Sequence, residues 1–128
     1  MDFSKYKILV VDDVPLNLLL VEKMLSRYHF SVQKASNGLE ALREIHVFNP
    51  HLILLDIMMP VMDGFDVIRK VRENSALADV KIVVLSALNS NEDILKAYSL
   101  GAQDFITKPI VLDKLTNSVA RQLGIPLE

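Results

Sequence analysis

Polar side chains with distinct chemistry follow the short apolar runs of this sequence. They are Asp12 and Asp13 after Lys7–Val11, Asp56 after Leu52–Leu55, Ser86 after residues 81–85, and Lys108 after Asp104–Thr107. If the runs are parallel strands of one sheet, these side chains meet beyond the carboxyl ends of the strands, where such sheets bind ligands. Three carboxylates, a hydroxyl and an ammonium would then converge from distant parts of the chain.

Carboxylates crowded at one edge resist ionisation unless a cation neutralises them. Mg²⁺ suits such a site because it takes hard oxygen ligands and keeps water positions open for a phosphate oxygen. Lys108 adds a fixed positive charge that can pair with Asp56 and then with an arriving phosphoryl group. The Ser86 hydroxyl can hydrogen-bond the same oxygens. The residue types therefore predict a magnesium-dependent phosphoryl site.

Helix capping is the alternative explanation for some of these aspartates. Asp is common in the loops that follow strands, and Asp12, Asp13 and Asp63 each suit the first position before a helix. Capping does not explain an aspartate directly after the buried third run, nor a lysine directly after the fifth. We therefore favour the phosphoryl site for the set as a whole.

The elements that would position these residues alternate between strands and helices. The predicted strands are Lys7–Val11, Ser31–Ala35, Leu52–Leu55, 81–85 and Asp104–Thr107. Runs such as Leu52–Leu55 are apolar throughout, as expected when both faces of a strand are buried. Five successive strand-helix units indicate an α/β protein with a doubly wound parallel sheet.

Apolar residues at helical spacing fill the segments between these strands. The first helix is predicted near Pro15, which suits a first turn because its missing N–H needs no partner there. The stripes that should face the core are Leu18, Val21, Leu25 and Tyr28; Leu39, Leu42 and Ile45; Phe65, Ile68 and Val71; and Leu112, Leu115 and Val119. Asn37-Gly38, Asp63-Gly64 and Ser90 are predicted helix starts, and Gly101 and Gly124 predicted stops.

Composition excludes several classes of function. The 128 residues carry 14 basic and 16 acidic side chains, a formal net charge of -2, so no broad positive field would hold nucleic acid or an anionic membrane. No apolar stretch approaches the roughly 20 residues of a membrane span, and there is no cysteine. We expect one cytoplasmic domain over residues 1–124, with 125–128 as the start of a linker or a cloning remnant.

A resemblance to the receiver domains of two-component response regulators follows from these residues. The motifs that carry it are Asp12-Asp13, Asp56-Ile57-Met58-Met59-Pro60, Met62-Asp63-Gly64, Ser86-Ala87, Gly101-Ala102 and Lys108-Pro109. They span residues 8 to 109, and the family's helices extend the match to about residue 123. The resemblance implies a flavodoxin-like fold of five parallel strands in the order 2-1-3-4-5, with five helices.

The resemblance also implies a role for each residue that matches the motifs. Asp56 would be the phosphoacceptor, Asp13 a direct metal ligand and Asp12 a ligand mainly through water, and the backbone carbonyl of Met58 would complete the Mg²⁺ site. Ser86 and Lys108 would hold the phosphoryl oxygens. The Lys108–Pro109 peptide bond is expected to be cis, an isomer that costs only about 0.5–1 kcal/mol before proline.

The implied activity is a switch rather than an enzyme acting on other molecules. Asp56 would receive a phosphoryl group from a histidine kinase or phosphotransfer protein. Ser86 would then move toward it, and Phe105 would rotate, remodelling the surface of helix four, strand five and helix five. Phe105 replaces the tyrosine of many relatives, so it is either this switch residue or ordinary core. Homodimerisation through the same surface, and whether the chain stands alone or belongs to a longer protein, stay open.

Two further residues bear on the lifetime of the phosphoryl group. In the family, the residues two positions after the acceptor and after the serine flank the hydrolytic water, and here they are Met58 and Leu88. Neither side chain can orient a water. The sequence therefore predicts slow self-dephosphorylation.

Other classes of protein fit the sequence less well. A phosphatase of the haloacid dehalogenase type also uses a strand-end aspartate with Mg²⁺, but it needs a second aspartate at the place of Met58. A flavin or nucleotide carrier needs a phosphate-binding loop rich in glycine or hydroxyls after the first strand, where this chain has Asp12-Asp13. A receiver that only binds proteins usually lacks an acidic-site residue, and none is missing here.

Overall fold

The computed structural model describes residues 2–127 and contains one five-stranded parallel sheet. The strands are β1 (Lys7–Val11), β2 (Ser31–Ala35), β3 (Leu52–Leu55), β4 (Lys81–Ser86) and β5 (Asp104–Thr107). Their order is β2-β1-β3-β4-β5, and every neighbouring pair is parallel. The predicted fold class and strand order are therefore confirmed. β4 is one residue longer than predicted, so Ser86 is its last residue rather than the first after it.

Five α-helices connect and cover the strands. They are α1 (Pro15–Leu25), α2 (Gly38–Phe48), α3 (Gly64–Glu73), α4 (Asn91–Leu100) and α5 (Leu112–Leu123), and short 3-10 turns follow α1 and α3 at Ser26–Tyr28 and Ser75–Leu77. Within residues 2–127, none of these helices has both the length and the apolar character that crossing a membrane requires. The predicted helix starts at Asn37, Asp63 and Ser90 are confirmed, because each side chain accepts a hydrogen bond from the backbone N–H three residues later.

The sheet separates two apolar cores, as a doubly wound fold requires. One face packs Leu18, Val21 and Leu25 of α1 and Leu115 and Val119 of α5 against Ile8, Val10, Leu52 and Leu54. The other face packs α2, α3 and α4 against Leu9, Val11, Ile53, Leu55, Ile82 and Val84. Since β1, β3 and β4 are covered on both faces, their apolar runs need no alternation.

Two residues assigned to core stripes lie at the surface instead. Leu39 is 62% exposed and Leu112 is 41% exposed. In α2 the buried positions are Gly38, Ala41 and Ile45, which shifts the packed stripe by one residue. In α5 the buried stripe begins one turn into the helix, at Leu115. Both expectations were wrong because a helix has neighbouring apolar positions, and only packing decides which of them faces the sheet.

The carboxyl-terminal end of the described chain lies against the fold. Ile125 and Leu127 are partly buried against the core of the α1 and α5 face. The backbone N–H of Ile125 donates to the Ala120 carbonyl, and Gly124 ends α5 in the left-handed conformation with φ 66°. Glu128 lies outside the described residues. The assignment of residues 125–128 to a linker stays a prediction.

Candidate functional site at the carboxyl edge of the sheet

The strand backbones place the acidic side chains at one edge. The Asp12 N–H donates to the Ala35 carbonyl, and the Asp56 N–H donates to the Val11 carbonyl. These bonds continue the β1–β2 and β1–β3 ladders by one residue each, so both aspartates are held rigidly where the strands end. Both are buried, with only 5% of each residue exposed, whereas Asp13 is exposed.

Asp12, Asp13 and Asp56 form one cluster. Each offers a carboxylate oxygen, and these oxygens all lie within 4.8 Å of one another. Oxygen ligands from carboxylates at this spacing suit a hard divalent cation. The acidic cluster could therefore bind a metal ion.

Lys108 supplies the positive charge that faces this cluster. Its Nζ lies 2.8 Å from Asp12 Oδ2 and 3.4 Å from Asp56 Oδ2. The backbone N–H of Lys108 donates to the Ser86 carbonyl, and the Lys108–Pro109 peptide bond is cis. Lys108 is thus anchored to the end of β4 while its side chain reaches two carboxylates 96 and 52 residues earlier.

The electrostatics of Asp56 reflect its burial. Desolvation raises the pKa of the Asp56 carboxyl above its ordinary value, and the charge of Asp12 raises it further, whereas Lys108 and the Met58 N–H lower it. Burial is the largest of these influences, so the carboxyl binds a proton more tightly than it would in water.

The same local turn recurs at three strand ends around the site. The side-chain oxygen accepts the backbone N–H two residues later in each case, from Val14 to Asp12 Oδ1 at 2.9 Å, from Met58 to Asp56 Oδ1 at 3.3 Å, and from Leu88 to Ser86 Oγ at 3.2 Å. Asp and Ser side chains favour such turns. Each turn places an apolar side chain beside the polar one that it fixes.

Ser86 and Phe105 occupy different environments. Ser86 is fully buried at the end of β4. Phe105 is half-buried on the edge strand β5, where it packs against the core of the α2, α3 and α4 face. It also lines a shallow cavity beside α5 with Thr107 and Arg121. Its position fits either of the two roles that the sequence left open.

Gly64 has a role at this site that its place in the sequence did not reveal. A Cβ built on Gly64 would lie 2.7 Å from the Ile57 Cα and would collide with the Asp56 carbonyl oxygen. The Gly64 N–H donates to the Ile57 carbonyl at 2.9 Å. The sequence predicted Asp63-Gly64 as a helix start and as part of a family motif without assigning Gly64 a role, although a glycine can also indicate a close backbone approach. The first turn of α3 therefore supports the backbone that carries Asp56.

Asp63 acts as a cap and lies apart from the acidic cluster. Its carboxylate accepts from the Asp66 N–H at 2.9 Å, and the Asp66 carboxylate accepts from the Asp63 N–H at 3.2 Å. This reciprocal capping box starts α3. The capping alternative is therefore correct for Asp63, whereas Asp12 accepts from the Val14 N–H and belongs to the acidic cluster.

Comparison with known proteins agrees with this arrangement. The response regulator receiver domain model matches residues 8–120. Response regulator PleD of Caulobacter vibrioides is 40% identical over 104 residues, which are 81% of this chain and 23% of PleD. A probable transcriptional regulator, ycf27, of Guillardia theta is 40% identical over 106 residues, 83% of this chain and 41% of that protein. The chain thus spans less than half of these two relatives.

Solved structures match over nearly the whole chain. Chemotaxis protein CheY4 of Vibrio cholerae has a TM-score of 0.85 and 29% identity, covering 91% of this chain and 97% of CheY4. The signal receiver domain of a signal transduction histidine kinase from Syntrophus aciditrophicus has a TM-score of 0.85 and 31% identity, covering 93% and 90% of the two chains. With the sheet order and the acidic edge described above, these matches leave one conclusion: the chain belongs to the receiver domain family of two-component response regulators.

Proposed function

We propose that this receiver domain accepts a phosphoryl group on Asp56 from a phosphohistidine of a histidine kinase or phosphotransfer protein. The observation that carries the proposal is the meeting of Asp12, Asp13 and Asp56 within 4.8 Å, with the Lys108 ammonium on two of them. A buried carboxylate beside a cation site and a lysine can act as a nucleophile toward phosphorus, because the positive charges offset those of the transferring group.

The transfer would break the phosphorus–nitrogen bond of the donor and form a phosphorus–oxygen bond to Asp56. The donor imidazole keeps the electron pair of the broken bond, and the product on Asp56 is an acyl phosphate. The Lys108 ammonium would move from the Asp12 carboxylate to one phosphoryl oxygen and form an ion pair with it. The Ser86 hydroxyl would donate a hydrogen bond to another phosphoryl oxygen. The domain therefore promotes its own phosphorylation and slow dephosphorylation and is not an enzyme that acts on other substrates.

Mg²⁺ is the cation that we assign to this site. Asp13 and Asp56 would bind it directly, Asp12 mainly through water, and the Met58 backbone carbonyl would complete the protein ligands. When bound, the ion would supply charge neutralisation for the phosphoryl oxygens. The exposure of Asp13 beside two buried carboxylates supports this assignment because it leaves a route for a hydrated ion.

The expected output is a change in the surface formed by α4, β5 and α5. Movement of Ser86 toward the phosphoryl group would let Phe105 rotate, and these shifts would reach the helices on either side of β5. Exposed apolar side chains on this surface suit a protein partner or a second copy; they are Leu95, Tyr98, Val111 and Leu112. We place this signalling in the cytoplasm, without contact of this domain with nucleic acid or membrane.

Intact mass measurement tests the proposal directly. The domain is incubated with Mg²⁺ and phosphoramidate, and a single phosphoryl adduct is expected. Asp56→Asn should abolish the adduct, a chelator should suppress it, and Asp113→Asn, which changes an exposed carboxylate in the first turn of α5, should keep it. An adduct that persists in Asp56→Asn would refute Asp56 as the acceptor.

A further inference from the structure

We propose that Met58 is a reversible oxidation site and that its sulfoxide shortens the lifetime of the phosphoryl group on Asp56. The inference rests on the proposed function, because it concerns the stability of that phosphoryl group. It gives the domain a second input: an oxidant in water would reset the switch that a phosphodonor has set.

Met58 is the most accessible methionine of the described chain. It is 56% exposed, whereas Met59 beside it is 7% exposed, and Met24 and Met62 are half-buried. Oxidation of methionine follows access of the oxidant to the sulfur. A mild aqueous oxidant should therefore reach Met58 before it reaches the other three.

The position of Met58 couples it to the phosphoacceptor. Its backbone N–H donates to Asp56 Oδ1 at 3.3 Å, so the side chain starts next to the reacting carboxylate. The side chain also lines an open groove of about 470 Å³. The thioether is flexible, with three rotatable bonds that let the sulfur sample the mouth of the site.

The groove beside Met58 offers little to hold a water molecule in place. Its lining is apolar except for Asp63, and comprises Ile57, Met58, Met59, Pro60, Phe65 and Leu88. One oxygen of the Asp63 carboxylate accepts from the Asp66 N–H at the start of α3. Before oxidation the Met58 thioether itself is only a weak hydrogen-bond acceptor for a water in this groove.

Oxidation changes one atom of this lining. Hydrogen peroxide transfers one oxygen to the Met58 sulfur; the thioether loses two electrons, and the peroxide is reduced to water. The product is a sulfoxide, whose oxygen is a strong hydrogen-bond acceptor on a side chain that was apolar. The Met58 sulfinyl oxygen can then accept a hydrogen bond from a water in the groove.

An oriented water hydrolyses the acyl phosphate. The water oxygen bonds to phosphorus, the phosphorus–oxygen bond to Asp56 breaks, and Asp56 returns as a carboxylate while phosphate and a proton leave. One ordinary hydrogen bond that forms only with the attacking water corresponds to a rate increase of about fivefold. The half-life of phosphorylated Asp56 should fall by about that factor.

The experiment uses peroxide and phosphoramidate on the whole chain. Purified protein is treated with hydrogen peroxide, and peptide mass measurement locates the added oxygen. The protein is then phosphorylated with phosphoramidate and Mg²⁺, the donor is removed, and loss of the adduct is followed by intact mass. We expect oxygen on Met58, an about fivefold shorter half-life, and recovery after treatment with methionine sulfoxide reductases, which reduce both sulfoxide epimers.

Methionine variants give the controls. Each treated sample is compared with its own untreated sample. In Met58→Leu, peroxide should no longer shorten the half-life of the phosphoryl group. In Met24→Leu and Met62→Leu it should still do so. Met58→Gln carries a polar oxygen at the same place, and its half-life should be short without peroxide. Since Met58 is largely exposed, the two changes at Met58 should leave the urea midpoint of unfolding nearly unaltered.

The outcomes separate this inference from the proposed function. If untreated protein takes up no phosphoryl group on Asp56, the proposed function fails, and the inference fails with it. If the group is taken up but its half-life is the same with Met58 oxidised, only the inference fails. Oxidation of Met24 or Met62 ahead of Met58, or a peroxide response that survives in Met58→Leu, would also overturn it.

Discussion

The Lys108 ammonium lies closer to the Asp12 carboxylate, at 2.8 Å, than to the Asp56 carboxylate, at 3.4 Å. The Lys108 ammonium thus contacts two buried carboxylates, and the shorter contact is to Asp12 and not to Asp56, the proposed phosphoacceptor. Asp56 consequently remains short of positive charge, which agrees with the rise in its pKa on burial and through the charge of Asp12.

Asp56→Asn should stabilise the fold at neutral pH. Because burial raises the pKa of Asp56 in the folded state, the folded protein binds more protons than the unfolded chain between the ordinary and the raised pKa. Stability from this group therefore falls as pH rises through that interval. Urea unfolding should give a higher midpoint for Asp56→Asn than for the parent protein at pH 7. Below the ordinary Asp pKa the two midpoints should converge, and an equal gain at every pH would contradict this account.

Asp13→Asn should weaken Mg²⁺ binding while leaving the fold intact. Asp13 is exposed, so it contributes little to packing, but its carboxylate lies within 4.8 Å of those of Asp12 and Asp56. Loss of one of three charges around a divalent ion should reduce the affinity by roughly tenfold or more. Calorimetric titration with MgCl₂ measures this. Asp113→Asn is the control, and equal affinities of the two variants would place the ion elsewhere.

Met58→Asn should accelerate loss of the phosphoryl group from Asp56. The amide can hold a water that the thioether cannot, and the Met58 backbone is already fixed to Asp56 Oδ1. An increase of about fivefold corresponds to one new hydrogen bond with the attacking water. The adduct formed with phosphoramidate is timed by intact mass after removal of the donor. Leu95→Asn, at an exposed apolar site on α4, should keep the parent half-life.

Gly64→Ala should disturb the acceptor loop by steric contact. The added methyl group would meet the Asp56 carbonyl oxygen and the Ile57 Cα, so the backbone that carries Asp56 must shift. We expect a loss of about 1–3 kcal/mol in the free energy of unfolding and slower phosphorylation by phosphoramidate. In Gly124→Ala the methyl group meets nothing within 4 Å but the backbone is left-handed, at φ 66°. That change should cost about 1 kcal/mol without slowing phosphorylation.

Arg72→Met should be the most destabilising surface-charge change on α3. The Arg72 guanidinium donates to the carbonyls of Gly101 and Val80 and to the Gln103 side chain, at 3.1, 2.8 and 3.0 Å. Its removal takes the guanidinium donors from the partly buried Gly101 and Val80 carbonyls, whereas Gln103 Oε1 keeps the Ile82 N–H as a partner. We expect a cost of about 2–3 kcal/mol. Arg69→Met removes only an exposed ion pair with Asp66, worth at most about 0.5 kcal/mol. Urea midpoints measured at one pH compare the two variants.

Local pattern was enough to determine the order of elements and the candidate residues. Apolar runs bounded by polar residues predicted β1, β3 and β4, because a strand buried on both faces has no polar position. The edge strands β2 and β5 were also predicted correctly, although both contain polar residues. Residue type at the strand ends then selected Asp12, Asp13, Asp56, Ser86 and Lys108, since helix capping can explain single aspartates there but not the whole set. The strand order itself came from the resemblance to receiver domains and not from the pattern.

Tertiary packing decided which helix positions are buried and how far apart residues of separate elements lie, neither of which follows from spacing along the chain. Leu39 and Leu112 have the same local pattern as buried residues, yet neighbouring positions face the sheet, because the rotation of a helix depends on the surface against which it packs. The unequal distances from Lys108 to Asp12 and Asp56, and the close approach of Gly64 to the Asp56 backbone, join residues from separate elements. Such contacts form only when the strands bring their ends together. The sequence therefore identified the candidate site residues, and the fold determined the distances between them.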